Sequence, residues 1–258
     1  DNGYTLVNSL TFIEAWILSI GYSLQLYFDF SGYSDMAIGL GRMMGFSFPE
    51  NFNSPYISKS ITEFWRRWHI TLSEWMRDYL YIPLGGNKVN SKFRLYSNLI
   101  TVFVISGLWH GASWNFILWG SLHGIFLIMD RLFLKSFLDK LGPIFSIPIT
   151  FFLAMMGWVV FRIEEFDHAL DFYSILFSFE GGFLSLSREV LFTFLLAFIA
   201  SFMTIIPFVN RYKNKFVNQR KIHNWRSFLL LIIALIALFL SIIKVSSSDF
   251  NPFIYFRF

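Results

Sequence analysis

Cysteine is absent from the 258 residues. Disulfide staples, thiolate metal sites and a cysteine nucleophile are thereby excluded. Charge is also scarce: Asp, Glu, Lys and Arg make up 15% of the chain, against about 25% in soluble domains. With 55% hydrophobic residues, the composition is too apolar for a disordered chain. Neither a Gly-x-Ser-x-Gly elbow, nor a Walker loop, nor a zinc-binding His-Glu-x-x-His motif occurs. The five histidines, at 69, 110, 123, 168 and 223, show no metal-ligand spacing, so no metal is expected. No period of 20–50 residues repeats and no low-complexity linker interrupts the chain, so 1–258 is read as one unit.

What the chain has in excess is apolar and aromatic. Aromatic residues reach 21%, Phe alone occurs 34 times, and the mean hydropathy is +0.53. This is the composition of an integral membrane protein. The net charge of +4 does not point to nucleic acid, because Lys and Arg lie in short blocks beside apolar runs, as in membrane loops. The chain begins at Asp1 with no basic n-region or cleavage site, so no signal peptide is visible. It is expected to be the C-terminal part of a longer protein whose first helices are missing.

A bilayer core of about 30 Å takes roughly 20 mostly apolar residues in a helix. Residues 95–134 suffice for a two-pass hairpin, and 146–162, 189–209 and 226–244 for one pass each. Residues 10–46 are apolar but interrupted by Glu14, Asp29, Asp35 and several glycines, which predicts one span followed by a broken or tilted helix facing protein. The blocks 59–94 and 211–226 are basic, whereas 162–189 sets Glu164, Glu165, Asp167, Asp171, Glu180 and Glu189 against Arg162 and Arg188. The basic blocks should be cytoplasmic and the acidic one outside, with the C-terminus extracytoplasmic.

Two segments carry candidate chemistry. In 60–82, Ser60 and Glu63 form a capping-box pair, and Phe64, Trp68, Trp75 and Tyr79 recur at helical spacing. An amphipathic helix lying in the interface accounts for that spacing. The same stretch, rich in Arg66, Arg67 and Arg77, also suits the phosphates of a cytosolic cofactor. In 106–124, His110 stands at the turn of the predicted hairpin between Gly107 and Gly111. Ionisable groups at membrane depth are costly and mark functional sites, although an interhelical hydrogen bond explains a neutral His as well. His123 is assigned to structural support. A buried imidazole without its own nucleophile suits direct transfer of an activated group between two bound substrates.

The run from Tyr27 to Gly39 (Tyr-Phe-Asp-Phe-Ser-Gly-Tyr-Ser-Asp-Met-Ala-Ile-Gly) resembles the membrane-bound O-acyltransferase family. Glu63–His69, Tyr81–Gly86 and Leu108–Gly111 agree with it. Within that family the chain is most similar to the bacterial branch that supplies acyl groups to cell-surface polymers, typified by the membrane subunit of alginate O-acetylation. The resemblance implies an all-α, multi-pass protein of the bacterial cytoplasmic (inner) membrane, a ring of tilted helices around a central tunnel. By motif position it makes His110 the active-site histidine and His69 the second histidine of the branch. It also implies acetyl-CoA as donor, with Arg66 and Arg67 as candidate phosphate partners.

The implied product is an O-acetylated surface polysaccharide, and the implied partner a secreted SGNH-like O-acetyltransferase. Tyr255, among the aromatic residues that end the chain, is similar to C-terminal tyrosines of such systems. It is a candidate acyl relay, although an interfacial aromatic belt explains it too. Arg257 stands where the family often has an amide. Intramembrane charges and a broken helix also fit a transporter, and a non-catalytic scaffold that recruits a secreted transferase is the third reading.

Overall fold

The structure is a computed structural model and describes residues 10–163, 165–181, 186–211 and 225–246. Every regular element among them is helical. Residues 1–202 and 203–258 form separate compact bodies. The first holds α1 (Phe12–Met43), α2 (Ile61–Trp65), α3 (Ile70–Met76), α4 (Lys92–His110), α5 (Trp114–Met129), α6 (Lys135–Leu141), α7 (Pro143–Arg162), α8 (Phe166–Leu176) and α9 (Arg188–Phe202); the second holds α10 (Trp225–Ser246). Trp114–Leu141, Pro143–Arg162, Arg188–Ile205 and Phe228–Ser246 are each long and apolar enough to cross a bilayer. The chain is an all-α, multi-pass membrane protein.

α1 corrects one expectation. It is a single unbroken helix of 32 residues, about 48 Å long at ~1.5 Å per residue. Its glycines lower helix propensity without removing a hydrogen bond, and no proline interrupts the ladder. Thr11 caps its start in a full capping box with Glu14. Ser19 and Ser23 each return their hydroxyl to the carbonyl four residues back, so both are buried with a partner.

The amphipathic helix expected over 60–82 is instead split. α2 ends at Trp65 and α3 begins at Ile70, with His69 between them in the left-handed region at φ 43°, ψ 55°. The break sorts the aromatic side chains. Phe64 and Trp68 are buried, while Trp75 and Tyr79 stay exposed. Ser60 does cap Glu63, but the Glu63 carboxylate accepts from the Lys59 N–H rather than closing the box. The Asp130 carboxylate at the end of α5 accepts from the Thr62 N–H at 2.7 Å, tying α2 to the hairpin.

The hairpin is present as α4 and α5, joined by a three-residue turn, but of the two only the helix that starts at Trp114 is among those long and apolar enough to cross a bilayer. Its closeness rests on glycine. A Cβ at Gly107 would strike the Phe116 carbonyl, and one at Gly120 the Phe103 carbonyl, both backbone atoms that cannot swing aside. Gly124 likewise meets Ile100. Small residues let membrane helices approach backbone to backbone. α7 then packs on α5 through Trp158, against Trp119 and His123, and through Gly157, against His123.

Gly120→Ala is expected to lower stability by about 1–3 kcal/mol, because the added methyl forces the helices apart. Gly21→Ala, whose methyl meets only the Phe194 ring at 3.8 Å, should change it little. Thermal denaturation of both variants in lipid nanodiscs checks the contrast.

Candidate functional site

His110 is the last residue of α4, so the hairpin turn decides where its ring lies. The imidazole is walled by aromatic rings: Trp109 at 5.0 Å, Phe161 of α7 at 5.2 Å, Trp119 of α5 at 5.3 Å and Phe116 at 6.3 Å between centroids. The Asn115 amide donates to the Phe161 carbonyl at 3.5 Å and holds the wall together. The ring is half-buried.

His69 comes from the other segment, and its ring meets Phe30 of α1 at 4.7 Å and Trp109 at 6.4 Å. Trp109 therefore meets both imidazoles. Residues 41 positions apart in sequence meet on one indole.

Asn51, from the loop before α2, holds His69. Its Oδ1 lies 3.1 Å from His69 Nδ1 and also receives the Thr71 hydroxyl at 2.9 Å and the Thr71 N–H at 3.3 Å. Its amide NH2 donates to the Ser34 hydroxyl of α1 at 3.1 Å, and its carbonyl accepts from the Ile70 N–H at 2.9 Å. Asn51 thus supplies the acceptors that the first turn of α3 lacks. Sequence reasoning missed Asn51, Ser34 and Thr71. The one signal available was an amide side chain in the Pro49-Glu50-Asn51-Phe52 loop among aromatic residues.

A cavity of about 590 Å³ lies next to these residues in the chain, and neither histidine nor Trp109 is part of its lining. Ile70 and Ser106 line it, one the neighbour of His69 and the other one turn before His110. Arg66, Arg77 and Tyr81 also face it, while Leu99, Val102 and Leu127 supply apolar wall. The two predicted arginines differ. Arg66 lines the cavity, and among the described residues no carboxylate pairs with it. Arg67 does not line it; its guanidinium is taken by Glu63 at 2.8 Å and the Asn53 carbonyl at 3.0 Å. Arg77 grips Asp78 through two hydrogen bonds of 2.7 and 3.0 Å, which hold the Asp78 carboxyl below its ordinary range.

His123 is fully buried, ringed by Trp65 at 5.0 Å, Trp119 at 5.2 Å and Trp158 at 5.9 Å. Neither ring nitrogen has a hydrogen-bond partner among the described residues. Its contact with α7 is steric, since a Cβ at Gly157 would collide with Nε2. Tyr255 lies outside the described residues.

Comparison with known proteins places these residues in context. The model of the membrane-bound O-acyltransferase family matches residues 4–163, which include both histidines and the cavity. A probable alginate O-acetylase of Azotobacter vinelandii is 43% identical over 95% of this chain and 55% of its own length. A peptidoglycan O-acetyltransferase of Helicobacter pylori is 51% identical over 66% of this chain and 33% of its own. A teichoic acid D-alanyltransferase of Bacillus subtilis is 35% identical over 57% and 41% respectively. The chain spans about half the length of the alginate relative.

Proposed function

The chain belongs to the membrane-bound O-acyltransferase family, and from that premise we propose that it forms the acyl-transfer site of an enzyme in the bacterial cytoplasmic membrane. The enzyme moves an acetyl group from cytosolic acetyl-CoA toward O-acetylation of a cell-surface polysaccharide. The observation that carries this reading is the pair of half-buried imidazoles on Trp109, one residue and one helical turn from the lining of a cavity that Arg66 also lines, with no carboxylate paired to Arg66 among the described residues. The acceptor class follows from relatives named for alginate, peptidoglycan and teichoic acid.

In the proposed reaction acetyl-CoA enters from the basic face. Arg66 meets its phosphates, and Arg67 braces that helix turn through Glu63 and Asn53. The acceptor hydroxyl oxygen attacks the thioester carbonyl carbon while His110 takes the hydroxyl proton. The carbon–sulfur bond breaks, and the CoA thiolate leaves with the proton that His110 held. General-base help of this kind contributes about 10²–10⁴-fold, and the aromatic wall keeps competing water away. The first acceptor is Tyr255 as a relay or an extracytoplasmic partner resembling SGNH O-acetyltransferases. The transporter reading drew on a broken helix and on the charges Glu14, Asp29 and Asp35; α1 is unbroken and carries those three charges along it.

His110→Gln is expected to reduce CoA release from labelled acetyl-CoA by at least about 100-fold in protein that elutes and melts like wild type; undiminished turnover defeats the assignment. Removing the Arg66 charge with Arg66→Gln should raise KM for acetyl-CoA roughly tenfold or more, with kcat little changed. Tyr255→Phe deletes only a hydroxyl, and surface acetylation at wild-type level in a complemented deletion strain would dismiss the relay.

A further inference from the structure

The hydrogen bonds around Asn51 carry more than a helix cap. Its side-chain amide has two orientations in principle, and the Thr71 backbone N–H discriminates between them, because a main-chain N–H only donates. The atom facing it at 3.3 Å must therefore be oxygen. Reversing the amide would set NH2 against N–H. The orientation also leaves the NH2 to donate to Ser34, 3.1 Å away on α1.

Once the oxygen is placed, the ring of His69 follows. Its Nδ1, at 3.1 Å from that oxygen, has to carry a proton to bond with it. In a neutral imidazole the other nitrogen, Nε2, then holds a bare lone pair. Backbone geometry reinforces the arrangement. The left-handed conformation of His69 is uncommon for a residue with a side chain, and is held by the Ile70 N–H on the Asn51 carbonyl and the Ser73 N–H on the His69 carbonyl. Asn51 and Ser34 are both buried, so water does not compete for these bonds.

We propose that Asn51 is a positioning residue that keeps His69 as the tautomer with Nδ1 protonated and Nε2 bare, so that His69 accepts a hydrogen bond from the acceptor hydroxyl rather than donating one to the thioester carbonyl. The role in transfer rests on the function proposed above; the tautomer does not. The acceptor hydroxyl has one proton: it docks with that O–H on His69 Nε2, and on reaction the O–H turns to His110, the titratable group beside it on α4, which removes the proton. Both lone pairs of the docked oxygen are left free for the carbonyl carbon, and holding it there is where proximity and orientation accelerate acyl transfer.

The test uses purified protein labelled with ¹⁵N-histidine in lipid nanodiscs, with His69→Gln identifying the resonances. Nitrogen shifts should show His69 Nδ1 bearing hydrogen and Nε2 bare. Asn51→Leu should shift that tautomer balance and lower kcat on the order of 100-fold with KM for acetyl-CoA unchanged. Asn51→Asp, which keeps an oxygen for Nδ1 and the Thr71 donors, should restore both the tautomer and most of kcat.

A wild-type His69 with hydrogen on Nε2 overturns the proposal, as does an Asn51→Leu protein with an unmoved tautomer or an unmoved kcat. Should Asn51→Leu fail to insert, the wild-type spectrum and the Asn51→Asp turnover still decide. A wild-type protein that shows the expected tautomer but never releases CoA refutes the function and leaves the Asn51–His69 arrangement standing.

Discussion

Contact between the backbones of α4 and α5 is the constraint on which the site depends. Gly107 against the Phe116 carbonyl and Gly120 against the Phe103 carbonyl leave no room for a methyl group. Because the helices meet this closely, the three-residue turn between them is tight, and His110 at the end of α4 is held within reach of Trp119 and Phe161. A hairpin splayed by one side-chain width would open this wall and turn the imidazole toward lipid. In a bilayer, where lipid tails are as apolar as side chains, such packing contacts take over much of the work that hydrophobic burial performs in water.

Aromatic rings do the rest of the assembly. Trp119 touches His110 and His123, Trp158 packs on Trp119 and Trp68, and Trp109 spans the two catalytic candidates. Flat, stiff side chains fill space with little rotamer freedom to lose, which suits a site whose groups must not wander. The buried His123 belongs to this scaffold, wedged against Gly157 and touching the indoles around it. The polar part of the site is small by comparison: Asn51 with Ser34, Thr71 and His69, and a cavity rim where Arg66 stands beside Arg77 and Glu74, Arg77 being held by Asp78.

Much of this was legible beforehand because it depends on local pattern. Apolar runs of span length predicted the four helices that are long and apolar enough to cross a bilayer, a set that leaves out α1 and α4, and Gly107 beside His110 predicted close approach at a hairpin turn. Legibility failed where a distant group overrode the local one. Periodicity over 60–82 favoured a continuous helix, yet the Asn51 carbonyl and side chain capture the Ile70 and Thr71 N–H groups and the helix breaks at His69. The charges in α1 suggested an interruption, yet a helix without proline keeps its ladder, and Asp29 and Asp35 ride on it without breaking it. Arg66 and Arg67 look equivalent as neighbours, but the Glu63 carboxylate and the Asn53 carbonyl claim only Arg67.

Composition and motif order alone determined that this chain is a helical membrane protein with histidines at two separated motifs, because hydropathy and spacing are properties of the chain read along its length. Only the tertiary structure decided that those histidines meet on one tryptophan, that Arg66 faces the cavity while Arg67 does not, and that Asn51 dictates which nitrogen of His69 carries hydrogen. Each of these depends on atoms brought together from α1, α4 and the loops around α2. Hydrogen-bond direction is set by the partner across space, not by the neighbour in sequence.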